Sequence, residues 1–275
     1  ISDICVYNKQ LYVLCDNPYK IMKYNFRGQF VEEESLPEYF DHIAVFDDWA
    51  CLYKQGSMGK RKLGIYSERD RRVNEIPLPD GKHIKAEREG YGYGFGSGRS
   101  LTASGDVLFT WPMDYTIYTI ENGAPRAKYT IDFGKREIPQ TLLEQNISPQ
   151  EFLNRMTENR YIYQISNVVE NEDYLMFQTN PSIFLLDKQT KELKNCFMIS
   201  NGMLHGGGIS GYLAVNGSAM IAQVYHASFF KQSVDNLIKY NQLSEGKHTD
   251  ELLRVYENLN EEDNPILFLH ELPLK

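Results

Sequence analysis

Apolar and polar residues alternate along most of this chain in short runs, and turn-forming residues interrupt the runs at roughly ten-residue intervals. The first unit reads Asp3-Ile4-Cys5-Val6-Tyr7, a turn at Asn8-Lys9, then Leu11 to Cys15. Asp16-Asn17-Pro18 leads into Ile21 to Asn25, and Phe26-Arg27-Gly28 into Gln29-Phe30-Val31. Four short strands separated by turn chemistry are expected. In the register read here, Cys5 faces Val13 and Asp3 faces Cys15. The plan recurs with His42 to Phe46, Trp49 to Tyr53, Leu63 to Tyr66 and Arg72 to Ile76. A third unit, Arg99 to Phe133, has its best strands at Asp106 to Trp111, Thr116 to Ile120 and Ala127 to Ile131, with a turn over Asn122-Gly123-Ala124-Pro125. A fourth gives Tyr163 to Val169, Tyr174 to Gln178, Ile183 to Leu186 and Leu193 to Met198.

The fifth unit gives two strands, Gly211 to Val215 and Ser218 to Val224, and is then interrupted. Phe229 to Tyr240 and Thr249 to Leu259 carry helical apolar spacing, and one more strand, Ile266 to Leu272, follows. A second helical insertion falls near 137–160, where Ser148-Pro149-Gln150-Glu151 has the form of an N-cap and first turn.

A four-strand unit recurring at about forty residues selects a β-propeller, in which each blade buries its faces against its neighbours. The expectation is an all-β chain, 1–275 forming a single propeller domain with five visible repeats and six blades when complete. Helical insertions lie near 137–160 and 227–260, and the first of these, with Gly90 to Gly98, is read as an insertion between blades on one of the two propeller faces. A β-sandwich is the structural competitor. The last unit lacks a fourth strand while the first is already a full blade, so an N-terminal blade is expected to be absent from this chain.

Aromatic residues make up 13% of the chain, 19 of them Tyr and 14 Phe, which suits half-buried pleated surfaces. The formal net charge of −8 repels phosphate backbones and argues against nucleic acid as a partner. No apolar stretch is long enough to span a bilayer as a helix. Cys5, Cys15, Cys51 and Cys196 form no CxxC pair and are read as free thiols.

Several segments carry a family resemblance. Leu11-Tyr12-Val13-Leu14, Lys20-Ile21 and Tyr24-Asn25 through Gly28-Gln29-Phe30 resemble NHL-type and TolB-like blades. Tyr129 to Gly134 followed by a helical insert, and the ending Asn260 to Leu267, resemble six-bladed propellers of Bacteroides-type bacteria that carry only a domain-of-unknown-function label. The resemblance implies an export or lipoprotein signal outside this chain, a location in the cell envelope and an additional N-terminal blade. It supplies no catalytic residues.

Recognisable chemistry is sparse. None of the six histidines has HExxH or HxH spacing, and no GxSxG elbow occurs, so no catalytic or metal-binding set is assigned and no cofactor is called for. Gly90 to Gly98 alternates glycine with aromatics, either as a loop covering a blade edge or as a ligand rim. In the second reading Tyr91, Tyr93 and Phe95 stack on a sugar or another flat ligand and Arg99 anchors it by charge. His205, before three glycines, is either part of a tight inter-blade turn or a residue at the channel mouth, and Tyr225-His226 is a similar candidate. Trp111 reads as packing. The acidic runs Glu32-Glu33-Glu34, Asp47-Asp48 and Glu261-Glu262-Asp263 read as solvated strand ends and turns. The leading reading is a non-enzymatic binding or scaffold propeller whose partner is a glycan, a peptide or an envelope protein. The alternatives are a glycan-active lyase or hydrolase working in the central channel, and a protein-interaction platform built on the helices.

Overall fold

The computed structural model describes residues 1–46, 48–54, 62–77, 99–104, 106–121, 123–180, 182–196, 220–243, 247–260, 262–263 and 266–271. Four antiparallel four-stranded meanders follow one another. The first comprises β1 (Asp3–Tyr7), β2 (Gln10–Asp16), β3 (Tyr19–Asn25) and β4 (Phe30–Ser35). The second comprises β5 (His42–Phe46), β6 (Trp49–Lys54), β7 (Lys62–Ser67) and β8 (Arg72–Ile76). In the third are β9 (Leu101–Ser104), β10 (Asp106–Thr110), β11 (Thr116–Glu121) and β12 (Ala124–Thr130). The fourth holds β13 (Ile165–Glu170), β14 (Tyr174–Thr179), β15 (Ile183–Asp187) and β16 (Leu193–Cys196). A last antiparallel pair, β17 (Met220–Tyr225) and β18 (Ile266–Glu271), brackets two helices that pack on each other, α3 (Ala227–Lys239) and α4 (Lys247–Asn258).

The first strands of successive sheets adjoin: β1 against β5, β5 against β9, β9 against β13. Each sheet therefore turns its first strand inward and its fourth outward, which is propeller architecture. The packing explains why the second strand of each unit reads as a nearly continuous apolar run. On β6, Ala50 and Leu52 enter a core shared with Leu14, Ile21 and Leu36 of the first blade. The alternate residues Cys51 and Tyr53 enter a separate core with Leu101, Val107 and Phe109 of the third. β10 repeats the division, with Val107 and Phe109 facing the second blade and Leu108 joining Ile165, Leu175 and Phe177 of the fourth. A sheet buried on both faces cannot keep the one-sided polar alternation of a solvated sheet. Each large side chain so buried contributes about 1.5–3 kcal/mol. Three successive inter-sheet cores, rather than one, exclude the β-sandwich.

An innermost strand still has a free edge, and neighbouring side chains satisfy it. The backbone N–H of Ile43 donates to Asp3 Oδ2 at 3.0 Å, and that of Val45 to Cys5 Sγ at 3.4 Å. Between the third and fourth blades the hydroxyls of Thr102 and Thr110 donate to the carbonyls of Val168 (2.8 Å) and Ile165 (2.7 Å).

Three local expectations are corrected. In the first hairpin Asp3 pairs with Leu14 and Cys5 with Tyr12, one residue away from the anticipated register. Asn8 and Lys9, at φ 44° and 61°, close it as a two-residue turn of the type whose twist matches the flanking strands. β12 begins at Ala124 rather than Ala127, because Pro125 lies on an outermost strand where its missing N–H breaks no ladder bond. Glu32, Glu33 and Glu34 are not a strand end: they lie within β4, where Lys23 and Lys20 pair with the first two at 2.6 Å. Charge on an outer strand also discourages edge-to-edge association.

The insertion after β12 consists of a 3₁₀ turn (Gly134–Arg136), α1 (Gln140–Leu143) and α2 (Pro149–Glu158). Ser148 caps α2 by accepting the Glu151 N–H at 3.2 Å, with Pro149 in the first turn, as anticipated. Ile138, Leu142, Leu143, Phe152 and Met156 pack on Met113 of the β10–β11 turn. The Tyr115 hydroxyl accepts from Ile138 N at 2.7 Å and donates to Ile162 O at 3.0 Å. Because β10 is antiparallel to β9, this turn lies at the end of the sheet where β9 begins, so the insertion packs at that end.

Candidate functional site at the heads of the inner strands

The bonds from Asp3 to Ile43 and from Cys5 to Val45 advance together, so β1 and β5 run parallel and start at the same end. The residues that open the inner strands consequently converge. Asp3 Oδ2 accepts the Ile43 N–H and, at 2.5 Å, the Arg99 Nη2–H, and His42 Nδ1 lies 3.6 Å away. Arg99 Nη2 also lies 3.3 Å from the Ile4 carbonyl. On its other side the Arg99 backbone is tied to the fourth blade: its N–H donates to Asn167 Oδ1 at 2.9 Å, and its carbonyl accepts from Asn167 N at 2.8 Å. One arginine thus joins blades one, three and four, while Asp3 brings in blade two.

Local backbone shape makes the junction possible. Asn167 has φ 51°, a left-handed conformation that asparagine tolerates better than most residues, and it lies in a bulge between Ser166 and Val169. The bulge leaves both Asn167 backbone and side chain available, and Nδ2 donates to Gln178 Oε1 at 2.8 Å. The His42 ring lies parallel to that of Tyr53, 5° apart in plane with centroids at 6.2 Å. Tyr53 is itself wedged against Phe109 and Trp111. Trp111 is 3% exposed, in keeping with a packing role.

The side chains of Asp3, His42 and Arg99 are 10%, 17% and 19% exposed, so the cluster is largely desolvated. Burial on its own would raise the Asp3 pKa. The neighbouring His42 ring, the Arg99 charge and the Ile43 N–H outweigh it and hold the carboxyl below the usual aspartate range. Among the described residues, buried polar atoms at this end with no hydrogen-bond partner include Arg99 Nε, Ser100 Oγ and Gln164 Nε2, and His42 Nδ1 has only its 3.6 Å approach to Asp3. Such atoms are costly, and their concentration where the inner strands begin singles this end out.

A second ionic cluster lies where β13 ends. Glu170 accepts from the Tyr129 hydroxyl at 2.6 Å, pairs with Lys188, and lies 2.9 Å from Lys128 Nζ. Lys128 also reaches Asp106 at 2.6 Å, and Lys188 the Asn171 carbonyl at 2.6 Å. Both ammonium groups stand 6.0 Å from the centre of the Tyr129 ring, within range of its π face. Burial would raise the Glu170 pKa, but Lys188, Tyr129 and Lys128 together bring it below the usual glutamate range.

Of the residues singled out from sequence, Arg99 alone is placed in the head cluster. Tyr91, Tyr93 and His205 lie outside the described residues, as does the side chain of Tyr225, the last residue of β17. His226 is exposed at the N-cap position of α3, where its side chain makes no capping bond. Sequence reasoning passed over Asp3, His42 and Asn167. The available signal was positional: Asp3 and His42 each open the first strand of a unit. Cys5, Cys15 and Cys51 are free thiols, and the side chain of Cys196 lies outside the described residues. No group of three His, Cys, Asp or Glu among the described residues could hold a metal ion, and no described helix is long and apolar enough to cross a membrane.

The crystal structure of a Bacteroides fragilis protein (BF0058) described as exported is similar over 99% of this chain and 77% of its own, at 18% identity and a TM-score of 0.63. The extracellular domain of BT4673 from B. thetaiotaomicron, described as a one-component system, matches 80% of this chain and 25% of its own at 13% identity and a TM-score of 0.42. No protein with a curated description matches the chain. The model of one family, the domain of unknown function DUF4934, matches residues 1–271, and the chain belongs to that family.

Proposed function

We propose that this chain is a non-enzymatic ligand-binding propeller of the bacterial cell envelope, with its site at the heads of the inner strands. The observation that carries this reading is the set of buried, unpartnered polar atoms gathered beside Asp3, His42 and Arg99. A fold with no use for that end would fill it with apolar side chains or close its hydrogen bonds. Asp3 supports binding rather than acid–base work, because a carboxylate paired with a guanidinium and a backbone N–H is a weak base. The described export of the B. fragilis protein supports an envelope location for a chain of the same fold. In this reading the blades form a six-bladed ring of NHL/TolB-like character within one domain. Tyr91 and Tyr93, which precede Arg99 closely in sequence, contribute stacking faces, and His205, Tyr225 and His226 stand as further ligand contacts.

The test is a thermal-shift screen of glycans and peptides on the wild type, Arg99→Gln and His42→Gln. A ligand at about a hundred times its Kd should stabilise the wild type by roughly 2.7 kcal/mol. The gain should shrink in both variants, and NMR of the bound ligand should show no conversion. Hits whose stabilisation is unchanged in both variants would move binding elsewhere, and turnover of the ligand would make the protein an enzyme.

A further inference from the structure

The geometry points to a small carboxylate-bearing ligand as the occupant of the inner-strand heads, with the Arg99 guanidinium and the Gln164 amide as its donors. The inference rests on the site proposed above and concerns its chemistry. The one described carboxylate of the cluster is already engaged: Asp3 Oδ2 accepts from Ile43 N and Arg99 Nη2. What remains open is weighted toward donors, since Arg99 Nε–H and the Gln164 Nε2 amide are buried with no acceptor among the described residues. Ser100 Oγ, which can donate or accept, is buried and unpartnered as well.

These groups belong to one neighbourhood. The Thr110 hydroxyl lies 3.5 Å from the Ser100 carbonyl and 2.7 Å from that of Ile165, and the Arg99 and Asn167 backbones are bonded directly. Residues 99–100 and 164–167 are therefore side by side. Gln164 and Ser100 are 4% and 3% exposed, so leaving their polar atoms without acceptors is costly and a ligand that supplies one gains accordingly. A carboxylate offers two oxygens and a negative charge to a site whose own carboxylate is already paired with Arg99. A neutral hydroxyl offers weaker acceptance and brings a further donor.

Isothermal titration calorimetry of the whole chain with matched pairs tests this. The pairs are glucuronate against glucose, and an N-acetylated dipeptide with a free C-terminus against its amide. The acidic member of at least one pair should bind about tenfold or more tightly than its neutral partner, and the pair that shows it identifies the source of the carboxylate. That preference should be lost in Arg99→Gln and reduced in Gln164→Leu, and Arg99→Lys should keep part of it. Circular dichroism establishes that each variant is folded, and the Gln164→Leu result decides the matter if Arg99→Gln is not. Equal binding of acidic and neutral members, weakened by the substitutions, would overturn the carboxylate assignment and leave the site standing. Binding indifferent to both substitutions would overturn the site as well. Absence of binding by both acidic probes would overturn the carboxylate assignment.

Discussion

The two ends of the inner strands hold charge in opposite ways. Where β13 ends, Glu170 is met by two lysines and a tyrosine, and those lysines go on to Asp106 and Asn171. Where the strands begin, Asp3 is met by Arg99 and faced by His42, but Arg99 Nε, Ser100 Oγ and Gln164 Nε2 remain unpartnered among the described residues. The first joins blades three and four and the second joins all four, so both stabilise the assembly. Of the two clusters, the second is the one whose described residues retain unspent hydrogen-bonding capacity. A closed ionic network is a clamp between sheets, whereas an open one leaves the groups that the proposed ligand would satisfy.

Glu170→Gln should give the largest effect, since it strands Lys128 and Lys188 beside a neutral amide. Urea unfolding should show a loss of about 2–3 kcal/mol, below the cost for a fully buried pair because both lysines keep some contact with water. Ligand affinity at the strand heads should be unchanged, and a change would erase the distinction drawn between the ends.

Acid titration probes both ends together. Asp3 and Glu170 have folded-state pKa values below their ordinary ones, so their stabilisation is complete above the unfolded values of roughly 4 and is lost as pH falls through the folded values. The Tm should owe these groups no change between about pH 7 and 5 and should fall below about pH 4. Glu170→Gln should flatten one part of that fall and Asp3→Asn another. An acid limb in both variants unchanged from that of the wild type would show that neither carboxylate is linked to folding in this way.

Arg99→Gln should cost less than the loss of Glu170, about 1–2 kcal/mol, because Asp3 retains the Ile43 N–H and the His42 ring. Its larger consequence should be lost binding, and a variant that binds normally would reduce Arg99 to a structural tie. Asn167→Ala should lower stability by about 1 kcal/mol, removing two side-chain bonds while leaving a left-handed backbone that alanine disfavours. Asn167→Gly should recover part of the loss in thermal melts. Glycine that is no better than alanine would show that backbone strain is not part of the junction.

The blades were legible in the sequence because their strands obey local rules. His42 to Phe46 and Tyr174 to Gln178 alternate or run apolar between clear turns, and Ser148-Pro149 caps a helix by chemistry confined to one turn. Register was less legible. A one-residue difference in the Asn8-Lys9 turn moves every partner of β1, and composition alone cannot tell a two-residue loop from a three-residue one. The candidate site was legible only at Arg99, picked out as a charge beside a glycine-aromatic run. The other members, Asp3, His42 and Asn167, are far from it in sequence, and each reads locally as an ordinary strand residue.

Alternation, turn chemistry and a recurring four-strand unit by themselves determined that this chain makes propeller blades, because those preferences act over a few bonds. Which residues meet was decided by the tertiary structure alone. Parallel packing of the inner strands brings the head of β1 to Arg99 across a long sequence separation, and it leaves some of the buried polar groups there paired and others open. Convergence of that kind depends on how sheets stack, which no single run of residues encodes.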